Sequence, residues 1–215
     1  NYMALGVCLT GIVIMLMANS PELMMTLAAG PGKWVLFAAL LGMGWFSPKI
    51  LTMQNTALAQ LYFWSYAALW GVLISPLVVA FLNVEGGVEQ VARAFLITTA
   101  MFLGTSIYGY TTKKDLSGMG QFFVMAIIGL LIASLVNLFF FESSAFAFMA
   151  SFGFVLLFAG MTAYETQIIK DMYTHNASAG GNTITRMAVF GALMIYGNFI
   201  VMFINILQLL GFSQE

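Results

Sequence analysis

From Ala145 to Tyr164 the chain runs for ~20 residues without a charged side chain, and Glu165 closes the run. A run of this length crosses a bilayer as a helix, because lipid offers no partner to a free backbone group and the segment must satisfy its own. A carboxylate attached to such a run is costly wherever lipid or dry protein surrounds it. Glu165 is therefore a functional-site candidate.

The rest of the chain has the same character. Of 215 residues, 61% are hydrophobic and 7% charged, where a soluble domain carries about a quarter charged residues. This is the composition of an all-α polytopic membrane protein. A barrel would show alternating segments of about ten residues, whereas the apolar runs here are long and continuous. The formal net charge is −1 with no basic cluster, so nucleic-acid binding has no electrostatic support. Cys8 and His175 are each alone, which excludes an internal disulfide and a Cys/His zinc cage within one chain. The numbering opens at Asn1 with a hydrophobic run close behind. Further N-terminal sequence is expected, and a removable signal peptide is not.

Apolar runs between polar or Gly/Pro breaks predict roughly seven spans: Tyr2–Ala18, Trp34–Phe46, Ala57–Leu82, Val91–Tyr108, Phe122–Phe141, Phe146–Ile169 and Met187–Phe212. Pro21–Lys33 reads as a loop broken by Gly30-Pro31-Gly32. The second span is short and stops at Ser47-Pro48. No repeat or long linker interrupts the sequence, so residues 1–215 read as a single domain. With seven spans, Lys49, Lys113, Lys114, Lys170 and Arg186 share the N-terminal side, and Lys33 and Arg93 fall on the other. The positive-inside rule then puts the N-terminus in the cytosol and the C-terminus outside.

Polar residues within the spans are few. Gly191, Asn198 and Asn205 recur at seven-residue spacing, with Gln208 three further on, and so share a helix face. A polar stripe on an otherwise apolar helix faces protein rather than lipid. It serves either as interhelical hydrogen-bond glue or, more sharply, as a path in which Asn198 pairs with Glu165. Thr98, Thr99, Thr105 and Ser106 read as side chains bonded to their own backbone, and Ser134 and Asn137 read the same way. Gly129 and Ala133 form a small-xxx-small pair suited to close helix packing. Glu89 and Arg93 stand at ion-pair spacing on a solvated helix end. Trp34 and Trp45 read as interface anchors, Trp64 and Trp70 as packing, and the methionines as core filler. Asn176-Ala177-Ser178 is a chance glycosylation match. No span holds a serine with a His or Lys base, and Glu165 and Asp171 point to different helix faces. No enzymatic activity is expected.

Three stretches together resemble a known family: Ser106-Ile-Tyr-Gly-Tyr-Thr-Thr-Lys-Lys-Asp-Leu-Ser117, Gly160-Met-Thr-Ala-Tyr-Glu-Thr-Gln-Ile-Ile-Lys170, and Tyr196 to Gly211 with Asn198, Asn205 and Gln208 inside it. Their order and spacing resemble the transmembrane Bax inhibitor motif family, in its bacterial YccA-like branch. The resemblance implies seven transmembrane helices, with two three-helix layers around a central C-terminal helix. It also implies an inner-membrane, pH-influenced calcium leak without a cofactor, sensed by a pair of acids ending the sixth helix and within the seventh. Glu165 holds the first position, as Glu where Asp is usual. Asn198 holds the second and is not acidic. An Arg latch near the start of the third helix is replaced by Gln54 and Asn55.

Two carboxylates sharing a site cannot both be charged at close range. Asn198 removes that repulsion and can donate to an ionised Glu165. The switch is then expected at lower pH than in a diacidic relative, or not at all. Glu165, with amide and carbonyl oxygens near it, would hold calcium weakly and transiently. Asn205, Gln208 and Thr162 would complete the polar stripe or pore. The alternative is a binding protein that modulates a membrane-anchored AAA protease through its loops. The bland reading leaves Glu165 as a helix-end anchor beside Lys170.

Overall fold

A computed structural model of the chain describes residues 1–176, 178 and 180–212. Every regular element among them is helical. In chain order these are α1 (Tyr2–Ala18), α2 (Pro21–Met24), α3 (Gly32–Phe46), α4 (Thr56–Leu82), α5 (Gly87–Thr111), α6 (Met119–Val136), α7 (Ser144–His175) and α8 (Gly181–Phe212). Among the described residues, six helical segments are long and apolar enough to cross a membrane. A seventh is counted if α1 and Pro21–Ala28, which are bent by 110° from each other, form one broken span.

Three expectations need correction. Pro21–Lys33 is not a loop: α2 runs into a π-helical segment, Met25–Ala29. Proline is tolerated at Pro21 because the first helical N–H has no partner to lose. Nor does the second span end at Phe46. A 3₁₀ segment, Ser47–Thr52, continues it, and Gly32–Thr52 together make 21 residues. Pro48 falls in the first turn of that segment, where it changes the helix type without ending the helical path. Finally, Gly129 does not pack against a neighbouring helix. It is exposed, and a Cβ there would meet nothing within 4 Å.

Most other polar residues sit as expected, but the Ser106 hydroxyl is buried with no hydrogen-bond partner, and Asn137 bonds beyond its own helix rather than back into it. Thr98, Thr99 and Thr105 donate to the carbonyls of Ala94, Phe95 and Met101 in their own helix. Asn137 exchanges two hydrogen bonds with the backbone of Ser143 and so closes the turn between α6 and α7. Glu89 and Arg93 pair at 2.5 Å with both side chains about two-thirds exposed, at 67% and 64%. The methionines divide: Met187 and Met202 are buried, whereas Met15 and Met149 face outward. Of the glycosylation match, Ala177 lies outside the described residues, and Asn176 donates to the carbonyl of Met172.

The chain forms two compact units. Asn1–Val88 with Met172–Tyr196 make one. Its core holds Phe63, Ala67 and Tyr196, all fully buried. Tyr196 and Thr10 join hydroxyls at 2.6 Å, and both also bond the carbonyl of Ala67. Within α4, Pro76 has no N–H for the carbonyl of Val72, and the Ser75 hydroxyl donates to that carbonyl instead at 2.7 Å.

Glu89–Asp171 with the chain from Gly197 make the other unit. Glycines with no room for a Cβ set its packing, among them Gly160 of α7 against the Phe123 ring of α6. A Cβ on Gly109 of α5 would collide with the backbone of Ala163 in α7, and one on Gly120 of α6 with the Tyr164 ring. Just ahead of Glu165, backbone therefore meets backbone at Ala163 and backbone meets ring at Tyr164. In a membrane, where helices gain no hydrophobic advantage over lipid, such close approach is what drives packing. Helix α8 supplies its first half to one unit and its second half to the other. Its most apolar window is 67% buried, against 6–33% for the other spans.

Candidate functional site

Glu165 comes late in α7 and is 6% exposed. Among the described residues it is the one Asp, Glu, Lys or Arg side chain that is buried. Asn198, on the second half of α8, is 4% exposed. Its side-chain nitrogen Nδ2 donates to Oε2 of Glu165 at 2.7 Å. An amide donor suits an ionised carboxylate, and its other end carries an oxygen able to accept from a protonated one. The pair can therefore hold either protonation state if the amide turns over. Phe199, the next residue on α8, meets the rings of Phe95 and Phe102 edge-on, each at 5.7 Å.

The other residues of the expected stripe part ways. Thr162 is fully buried, but its hydroxyl donates to Phe158 and its carbonyl accepts from Thr166, all within α7. Asn205 donates to the carbonyl of Val201 in its own helix. Gln208 accepts from Ser151 of α7 at 3.1 Å. Asn198 and Gln208 thus tie α8 to α7 at two levels, while Asn205 and Thr162 turn back on their own backbones. Among the described residues, no group of three or more His, Cys, Asp or Glu side chains could hold a metal ion. Glu165 is a single carboxylate whose contact from Asn198 is made by the amide nitrogen.

The end of α7 carries contacts that the sequence did not announce. Gln167 donates to the carbonyl of Lys114 and accepts from the N–H of Leu116, each at 2.8 Å. Lys170 donates to the carbonyl of Tyr110 at 2.8 Å and lies 5.1 Å from the centre of that ring. Both act on backbone groups, which look alike in every sequence. The one available signal was that the stretches Ser106–Ser117 and Gly160–Lys170 stood out together.

The α5–α6 connection also folds on itself. Asp115 accepts from the N–H of Ser117 at 2.8 Å. That backbone bond, with help from the Ser117 side chain, holds the Asp115 carboxyl below the usual range.

The sequence profile described as inhibitor of apoptosis-promoting Bax1 matches residues 1–215, the whole chain. The chain belongs to this Bax inhibitor family. An uncharacterized protein of Rickettsia prowazekii, RP147, is 36% identical over 217 residues, covering 100% of this chain and 88% of the relative. The inner membrane protein YbhL of Escherichia coli is 32% identical over 212 residues, covering 98% and 88%. An uncharacterized protein of Deinococcus radiodurans is 35% identical over 209 residues, covering 97% and 86%. The protein is thus an integral membrane member of the Bax inhibitor family, and the Glu165–Asn198 contact lies inside the stretches that first suggested it.

Proposed function

We propose that the chain is a passive calcium leak path of a bacterial inner membrane, with its N-terminus in the cytosol and its C-terminus in the periplasm, gated at Glu165 and Asn198. The observation that carries this reading is the 2.7 Å contact between a buried carboxylate and a buried amide within membrane-spanning helices. A charge so placed is expensive unless it is used. Family membership supports the reading, as does the inner membrane name of YbhL.

At rest the Asn198 amide occupies the oxygen of Glu165. A calcium ion, as the permeating species, competes for that oxygen. It is a hard cation that prefers several oxygen ligands. Turning the Asn198 amide offers its Oδ1 in place of its N–H and adds a second oxygen. One carboxylate and one amide oxygen bind calcium weakly, which suits passage and not storage. Protonating Glu165 removes the charge and closes the path to the cation. With an amide in place of a second acid, that closure is expected at lower pH than in a diacidic relative, or is absent.

Calcium entry into liposomes carrying the purified protein tests the reading. Wild type should admit calcium, and Glu165→Gln should admit less and lose any dependence between pH 5 and 8. Equal entry by the two proteins sinks the site assignment. Retention of a membrane-anchored AAA protease by the Glu165→Gln protein would separate a binding role of the loops from the role of the site.

A further inference from the structure

We propose that Gln167 and Lys170 are positioning residues: a strap that fastens the α5–α6 connection to α7 and couples it to the state of the Glu165–Asn198 pair. Gln167 presents one donor and one acceptor, as a peptide group does, and engages the backbone at Lys114 and Leu116. Leu116 is 7% exposed, so the connection is anchored by a buried side chain as well. Three residues after Gln167, on the same face of α7, Lys170 holds the carbonyl of Tyr110. Tyr110 follows Gly109, whose contact with Ala163 brings α5 and α7 together at the backbone.

Glu165 precedes Gln167 by two residues, which places the two side chains ~200° apart around a helix of 3.6 residues per turn. One turn of α7 therefore grips Asn198 of α8 on one face and the α5–α6 connection on the other. Within a rigid helical turn these grips cannot move independently. A rotation or tilt of α7 that takes Glu165 off Asn198 pulls Gln167 against residues 114–116. Conversely, anything that displaces the connection bears on the pair.

The strap is defined by the side-chain contacts themselves, and it rests on the leak reading only where calcium flux is the readout. A spin label on a single cysteine at the exposed Lys113, in a Cys8→Ser background in liposomes, reports the motion of the connection. Gln167→Leu should free the label and change calcium entry by about fivefold or more, the lower end of typical coupling between two sites. Gln167→Glu keeps the acceptor for Leu116 and loses the donor, and should give an intermediate spectrum. It also serves if the Leu variant fails to fold. Lys170→Met should loosen the label, and Lys170→Arg, which keeps the charge and the donors, should restore it. Glu165→Ala should free the label from the opposite face of α7, a signature that a merely structural Gln167 would not produce. An unmoved spectrum in both Gln167 variants overturns the strap. So does a label that Gln167→Leu frees and Glu165→Ala leaves unchanged. If wild type admits no calcium, the leak reading fails, while the label spectra still decide the coupling.

Discussion

Asn198 of α8 and Glu165 of α7 are joined by one hydrogen bond of 2.7 Å between two buried side chains. An amide here donates to one carboxylate oxygen at every pH, where a second acid could do so only while protonated. The energetic weight of the contact comes from the alternative. Without the amide a buried carboxyl oxygen is left unsatisfied, at a cost of about 1–3 kcal/mol.

Pro76 of α4 leaves the carbonyl of Val72 without its helical donor, and the Ser75 hydroxyl takes that place. Ser75 is fully buried, so Ser75→Ala should cost about 1–3 kcal/mol, the penalty of an orphaned buried acceptor. Thermal unfolding in detergent measures it. In a Pro76→Ala background the backbone N–H returns and the same serine substitution should cost much less. Equal costs in the two backgrounds would show that the hydroxyl does not replace the missing bond.

Gly109 and Gly129 should behave oppositely. Gly109→Ala drives a methyl into the backbone of Ala163, and such overpacking costs about 1–3 kcal/mol or more. Gly129→Ala meets nothing and gains the better helix former, worth about 1 kcal/mol. Paired melting curves should move in opposite directions.

Glu142, between α6 and α7, has φ of 48° and ψ of 30°, in the left-handed region. Its N–H closes a π-helical segment that follows α6, Asn137–Phe141, by donating to the carbonyl of Asn137. A non-glycine residue there carries a steric cost of about 1–2 kcal/mol, part of which glycine returns to the flexibility of its unfolded chain. Glu142→Gly should raise the melting temperature slightly, and a lowered one would show that the side chain stabilises the turn.

Asp115 supplies a pH prediction outside the spans. Its carboxyl is held below the usual value by Ser117, so its contribution is present above the unfolded value, near 4, and is lost as pH falls through the lower folded value. A label at Lys113 should therefore gain mobility only below about pH 4. Asp115→Asn should remove that transition.

Much of this architecture is legible in the sequence for a simple reason. Lipid permits few structures, so uninterrupted apolar runs become helices, and α1 takes the range Tyr2–Ala18 that its run predicts. Glu165 and Asn198 could be paired on paper because polar groups in such helices have few partners to choose from. Where the reading failed, context decided. Proline at Pro21 and Pro48 breaks a helix interior but is tolerated in a first turn. Gly129 sits on a helix that is apolar all round, so composition did not say which face met protein. The role of Gln167 was invisible because its partners are the peptide groups of Lys114 and Leu116, which carry no side-chain signature.

The central claim is that Asn198 sets how Glu165 responds to protons while calcium passes. Calcium entry against pH, measured for Asn198→Asp beside wild type in the same liposomes, tests it most directly. Two carboxylates at that range cannot both be charged, so the curve of the variant should move toward neutral pH by about one unit or more. Superimposable curves from two folded proteins would contradict the account.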